Sequence, residues 1–272
     1  MNPSVHPHHR RHLRPAVRRV LTVTVVACIA VGGASFVLHS RSAVPAASAT
    51  STSSASAASE AESSLLTARQ AQAILDDPRM VLVNHTNKMP DDHTFTTKAC
   101  GSATAVNKTL QTVACNAFLE LQKAAAAENV TVWMQSGYRS VKYQTSLYER
   151  KTKYYLDKGY DNATAKEKAA AVVNPPGYSE HNCGLAADLN SPEHTGLDEG
   201  FEKTAAFRWL CEHAGDYGFI LRYPKDAEDK TEIIYEPWHW RYVGAENAAK
   251  INASGLCFEE YIETLQSIAA EG

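Results

Sequence analysis

The sequence predicts an α+β fold for residues 65–272: one domain built as a small, mostly antiparallel sheet with helices packed around it. Three observations lead there. Helical and strand periodicities alternate along this stretch, the strand-like runs are short, and Gly or Pro closes several of the elements. A Ser/Ala-rich run over residues 39–64 holds almost no large apolar side chain, so it reads as a flexible linker that bounds the domain.

The elements follow in order. Residues 65–77 (LLTARQAQAILDD) read as a short helix, and the apolar MVLVN at 80–84 as a strand. Leu110, Val113, Ala117 and Leu121 recur at helical spacing and predict one long helix over 106–129. VTVWMQS (130–136) alternates as a strand does and ends at Gly137. Helices follow over 141–158 and 163–173, the second halted by Asn174-Pro175-Pro176-Gly177. Residues 185–190 alternate again, with Leu185, Ala187 and Leu189 on one face and Ala186, Asp188 and Asn190 on the other. Residues 204–218 are helical, FILRY (219–223) and HWRYV (239–243) are strands, and helices over 245–253 and 258–268 end the chain. No internal repeat is visible.

Charge is distributed unevenly. Six of the 27 basic residues and none of the 30 acidic ones lie in the first 41 positions, which leaves the remainder at a net of −9. An acidic domain argues against nucleic acid as its partner, because phosphate is held by Lys and Arg. Residues 20–38 (VLTVTVVACIAVGGASFVL) are uncharged over 19 positions, near the ~20 needed to cross a bilayer. Five Arg precede this run and one follows, so a basic tail at 1–19 belongs in the cytoplasm and the main domain outside it. A single-pass membrane anchor is the favoured reading. A cleaved signal peptide, giving a secreted protein, is the rival, although its small-residue site at Ala47-Ser48-Ala49 lies well beyond the apolar run. Cys100, Cys115, Cys183, Cys211 and Cys257 fall in that extracytoplasmic part, where disulfides persist, and five is an odd number.

Two short stretches carry chemistry. In SEHNCGLAADLN (179–190), Gly184 permits a tight bend between His181 and the strand, so His181 and Asp188 can converge. In YEPWHWRYVG (235–244), Pro237 forces Glu236 out of helical geometry and places a loop before the strand that carries His239 and Arg241. His and carboxylate are ordinary ligands for zinc, and three protein ligands are usual in a catalytic site. Each of these residues also has a plain structural reading. A lone His is commonly a core or surface residue, Asp188 can cap a turn or pair with a distant Arg, and Trp238 and Trp240 can be core aromatics.

Ser179, His181, Gly184, Ala186 and Asp188 match the pattern SxHxxGxAxD, and Glu236, Trp238 and His239 match ExWH. With SGYRSVKYQTSLY at 136–148 and LVNHTNKMPDD at 82–92, the sequence resembles the zinc D-Ala-D-Ala carboxypeptidases of the VanY type, peptidase family M15, over nearly all of residues 67–268. The resemblance implies that family's hedgehog-like zinc peptidase fold. It implies one zinc ion on His181, Asp188 and His239, with Glu236 as the general base. It implies that Arg139 stabilises the oxyanion or holds the substrate's terminal carboxylate, that Gln144 and Ser179 hydrogen-bond the peptide, and that Trp238 walls the pocket. The bland alternatives are a surface ion pair for Arg139 and an exposed helix position for Gln144. Arg241 can orient a metal ligand from behind or pair structurally with an acidic neighbour, and the structural reading is favoured; His194 and His213 read as surface residues, and His85 and His93 are unassigned.

The expected activity is removal of the C-terminal D-alanine from peptidoglycan stem peptides by a monomeric catalytic domain outside the cell. Three alternatives remain open: an L,D-carboxypeptidase, a D-Ala-D-Ala dipeptidase with the same site, and a zinc-stabilised wall-binding module without catalysis. Cys183 lies outside the ligand set; a thiol at the edge of the zinc site and a disulfide to Cys211 both stay open for it, with the disulfide the expected one.

Overall fold

The computed structural model describes residues 66–101 and 108–272. Its centre is a four-stranded antiparallel sheet made of β3 (Trp133–Ser136), β4 (Ala186–Asn190), β6 (His239–Tyr242) and β5 (Phe219–Leu221), in the spatial order β3-β4-β6-β5. A two-stranded ribbon of β1 (Thr97–Ala99) and β2 (Thr109–Gln111) forms a separate sheet, tied to the ends of β3 and β4 by the bonds Tyr138 N–H to Thr109 O and Gln111 N–H to Gly184 O. The longer helices are α1 (Ala68–Leu75), α2 (Thr112–Ala127), α3 (Val141–Asp157), α4 (Asn162–Ala170), α5 (Ala205–His213), α7 (Ala245–Ser254) and α8 (Phe258–Ala270), with a single turn, α6, at Glu228–Thr231.

Every residue of β4 is buried, because the sheet is covered on both faces. Leu185, Ala187 and Leu189 join Phe219, Trp240 and Tyr242 in a core with Phe118 and Leu121 of α2 and Leu210 of α5. Ile220 and Val243 belong to a second core, closed by Ala71 of α1, Ile251 of α7, and Phe258, Ile262 and Leu265 of α8. Alternation along the strands thus separates two cores, and Asp188 points away from the first of them. Local signals set the helix starts. Thr67 and Gln70 form a capping box at α1, Ser140 accepts from the Tyr143 amide at α3, and Asp161 accepts from the Thr164 amide at α4.

Three expectations are corrected. MVLVN is not a strand: Pro78–Met80 form a 3-10 turn, and residues 81–83 join no ladder. The carbonyls of Arg79 and Val81 are satisfied by Arg241, whose Nη2 donates to both at 2.8 Å. The long helix begins at Thr112, because Thr109–Gln111 pair with Thr97–Ala99 instead; residues 102–107 lie outside the described part. Cys183 does not bond Cys211. The ribbon and the first turn of α2 bring Cys100 and Cys115 to a Cα separation of 5.5 Å, and these two form the disulfide. Cys183 is buried beside β4 while Cys211 is exposed on α5, and both are free thiols.

The expected basic tail, membrane segment and linker lie outside the described residues. Among the described residues, no helix is long and apolar enough to cross a membrane.

Candidate active site

Antiparallel register builds a row of side chains across three strands. Ser136 of β3 stands opposite Asp188 of β4, and Asp188 stands opposite His239 of β6. Directly opposed residues share a face, so an expectation drawn from two distant stretches becomes one site. His181 joins the row from the 3-10 turn Glu180–Cys183, which ends at Gly184 with φ +70° and turns the chain into β4. A side chain at Gly184 would be strained by that dihedral and would press on Phe95 and Gln111 at 3.0–3.3 Å.

His181 Nε2 lies 3.3 Å and His239 Nδ1 3.2 Å from the same oxygen, Asp188 Oδ1. The two rings are nearly perpendicular, with centroids 4.9 Å apart. One donor atom from each of the three residues falls within 4.8 Å of the others, and all three residues are buried. The tautomer of His181 follows from its other side. Nδ1 is 2.7 Å from the Gly137 carbonyl, which only accepts, so Nδ1 carries the proton and Nε2 presents its lone pair.

Glu236 approaches from the loop before β6, its Oε2 3.6 Å from His239 Nδ1. Its backbone is pinned: the Glu236 amide donates to Tyr223 O and its carbonyl accepts from the His239 amide. Arg139 is tied to the same centre. Its Nη2 donates to Asp188 Oδ2 at 2.5 Å and its Nε to Ser136 Oγ at 3.0 Å, while its backbone bonds to His181 O and to the Asn182 side chain. These residues open onto a cleft of about 450 Å³ that Gln144, Ser179, Tyr223 and Trp238 also line.

Charge in this cleft is strongly perturbed. Burial pushes Glu236 up to about 8, with Asp188 adding repulsion, although His239 pulls the other way. Burial and the Arg139 guanidinium push His181 down to about 4. Burial opposes protonation of His239 too, but its contacts with Asp188 and Glu180 prevail and raise it to about 9. Against the opposing effect of burial, His181 and Arg139 hold Asp188 well below the usual carboxylate range. A carboxyl pushed up beside a carboxylate pushed down, in one water-accessible cleft, is an arrangement suited to proton transfer.

The structure therefore brings together His181, Asp188, His239, Glu236 and Arg139, with Gln144, Ser179 and Trp238 on the cleft wall. Arg139 is not a surface ion pair, and Gln144 is fully buried rather than exposed. Gln144 Nε2 donates to Asn174 O at 2.6 Å, and its Oε1 has no partner among the described residues. Arg241 is fully buried and pairs with an acidic neighbour, gripping Glu180 through Nη1 at 2.6 Å. The remaining histidines among the described residues stand elsewhere. His194 and His213 are half-buried beside Asp198 and Glu212, His85 contacts Ala170 O, and His93 contacts Gln111.

Sequence reasoning missed Glu180, Arg222, Tyr223 and Asn174. A faint signal existed for Arg222, a charge inside the apolar run FILRY, and Asn174 was hidden in a stretch that reads only as a helix stop.

A family model described as VanY, D-alanyl-D-alanine carboxypeptidase, matches residues 107–245. A D-alanyl-D-alanine carboxypeptidase of Enterococcus faecalis is 32% identical over 267 residues, 94% of this chain and 95% of the relative. Among solved structures, a mutant of the vancomycin-resistance D,D-pentapeptidase VanY in complex with Zn(II) is 35% identical with a TM-score of 0.60, covering 68% of this chain and 99% of its own. The LD-carboxypeptidase LdcB is 32% identical with a TM-score of 0.60, covering 69% of this chain and 88% of its own.

Proposed function

We propose that this chain, which belongs to the VanY family of D-alanyl-D-alanine carboxypeptidases, is a zinc-dependent hydrolase that removes the C-terminal D-alanine from peptidoglycan stem peptides. The observation that carries the reading is the buried His181–Asp188–His239 cluster, with Glu236 at its edge, in an open cleft.

The cluster fits zinc by the chemistry of its donors. Two imidazoles and one carboxylate are a usual zinc set, and the Gly137 carbonyl already fixes the lone pair of His181 toward the cluster. When bound, zinc supplies Lewis acidity toward water and the scissile carbonyl and a positive charge that favours ionised Glu236. Glu236, as general base, takes the proton from the attacking water and passes it to the nitrogen of the leaving D-alanine. Arg139, its planar fork anchored by Ser136 and Asp188, holds the developing oxyanion or the terminal carboxylate. Gln144 Oε1 accepts a peptide N–H, Ser179 bonds the peptide beside it, and Trp238 walls the pocket.

Residues 20–38 anchor the chain in the membrane in this reading, and the linker at 39–64 lets the domain reach the wall. The test is release of D-alanine from a pentapeptide ending in D-Ala-D-Ala, with and without chelator. Release that is lost on chelation and restored by zinc supports the proposal; release insensitive to chelator, or none with zinc supplied, refutes it. The similarity to LdcB favours an L,D-carboxypeptidase as the second reading. Comparison of pentapeptide, tetrapeptide and free dipeptide as substrates separates the two and also detects a dipeptidase.

A further inference from the structure

The Nδ1 edge of the His239 ring meets Asp188 at the cleft, and its Nε2 edge meets Glu180. Glu180 is adjacent in sequence to His181, yet it points to the rear of the other histidine and is wholly buried. Its Oε1 accepts from Arg222 Nε at 2.7 Å and from Arg241 Nη1 at 2.6 Å. Its Oε2 lies 3.6 Å from His239 Nε2, and neither of those two atoms has a hydrogen-bond partner among the described residues.

Both guanidiniums are themselves immobilised. Arg222 is bonded to Glu259 of α8 through Nη1 at 2.7 Å and Nη2 at 2.5 Å, and Arg241 to the carbonyls of Arg79 and Val81. Glu180, Arg222, Arg241 and Glu259 already balance in charge, and the two arginines use only Oε1 of Glu180. A cluster that served stability alone would have no need to leave Oε2 facing an imidazole nitrogen. An imidazole that offers Nδ1 to a metal must carry its proton on Nε2, and a fixed carboxylate behind that nitrogen favours this tautomer and holds the ring plane.

We propose that Glu180 is a positioning residue for the metal centre, clamped by Arg222 and Arg241 so that its free oxygen holds His239 as the Nε2–H tautomer with Nδ1 directed at the ion. The inference rests on the reading of His181, Asp188 and His239 as metal ligands. It assigns a function to a residue that the two arginines would otherwise explain as structural.

The experiment compares the full-length wild type with Glu180→Gln, Glu180→Asp and Glu259→Gln. Zinc affinity is read by competition with a chromogenic chelator, and melting temperature is read in EDTA. All three substitutions disturb the buried ion cluster, so all three lower the melting temperature. Only the Glu180 variants are expected to weaken zinc binding, by about 10- to 100-fold, with Glu259→Gln remaining within about threefold of wild type. Zinc affinity in the Glu180 variants equal to that of Glu259→Gln would overturn the inference. A readout independent of variant folding is the long-range 1H–15N spectrum of zinc-loaded wild type. His239 protonated on Nε2 supports the assignment, and the opposite tautomer overturns it. Wild type that binds no zinc overturns the ligand assignment itself, which is a different result from intact binding in the Glu180 variants.

Discussion

Arg139 Nη2 donates to Asp188 Oδ2 at 2.5 Å, so the cation that faces the cleft also grips the carboxylate at the centre of the cluster. The same guanidinium is held by Ser136 Oγ at 3.0 Å. A planar fork with two anchors cannot be reproduced by a single ammonium. Arg139→Lys should lower kcat/KM for the pentapeptide by about 100-fold or more, the range seen when an oxyanion donor is lost. Zinc stoichiometry should be unchanged, because the proposed ligands His181, Asp188 and His239 remain. Activity within threefold of wild type would remove Arg139 from the chemistry.

Glu236 stands at the edge of the cluster and is proposed as the base rather than a ligand. Glu236→Ala should retain one zinc per chain, measured by atomic absorption, while kcat falls by about 10²- to 10⁴-fold, the usual contribution of a general base. Loss of the metal together with activity would instead make Glu236 a ligand.

Gly137 contributes its carbonyl to His181 Nδ1. A Cβ at this position would overlap the Thr109 carbonyl oxygen and crowd Met134 Sδ at 3.0 Å. Backbone oxygen cannot swing aside as a side chain can, so the Gly137 peptide itself must move. Gly137→Ala should lower both the melting temperature and zinc affinity. Unchanged zinc affinity would show that the carbonyl does not orient His181.

The metal-free protein should lose stability as pH rises from about 6.5 to 9. Glu236 is raised from 4.5 to about 8 and His239 from 6.5 to about 9, so across this window the folded state binds protons that the unfolded chain has already released. Stability falls wherever the folded state binds more protons, at up to about 1.4 kcal/mol per pH unit for each group. His181, lowered from 6.5 to about 4, acts in the opposite direction only below this window. Zinc displaces protons from its ligands, so the rise in melting temperature on adding zinc should be larger at pH 8.5 than at pH 6.5. Thermal melts with EDTA or zinc at several pH values measure both trends.

The Cys100–Cys115 disulfide closes a 15-residue separation. A loop of that size is stabilised by about 3 kcal/mol in the chain-entropy account. The double substitution Cys100→Ser with Cys115→Ser should lower the melting temperature, whereas Cys211→Ser, on an exposed free thiol, should leave it unchanged.

Parts of the site were legible in the chain because they are local. His181, Gly184 and Asp188 lie within eight residues, and a bend followed by a short strand is enough to bring them together. The strand alternation around Asp188 is also local, and it correctly separates Leu185, Ala187 and Leu189 from the face that bears the carboxylate. The strand expected at MVLVN does not form, because a short apolar run reports burial and not whether its backbone groups pair with a neighbouring strand. What decided this was a guanidinium more than 150 residues away, which took the carbonyl bonds that a neighbouring strand would have made.

The sequence by itself therefore determined the residue types, the local turns and the periodicities, since these depend on dihedral preferences and side-chain spacing over a few residues. Tertiary structure alone decided that His239 stands opposite Asp188, that Cys115 rather than Cys211 finds a partner, and that Glu180 reaches behind His239 while Arg222 and Arg241 hold it. Those pairings span up to 61 positions in the chain. Isolated charges and thiols at such separations carry no periodic signal; the antiparallel register of β4, β5 and β6, with α8 packed beside them, places the charges in contact, and the ribbon of β1 and β2 against α2 does the same for Cys100 and Cys115.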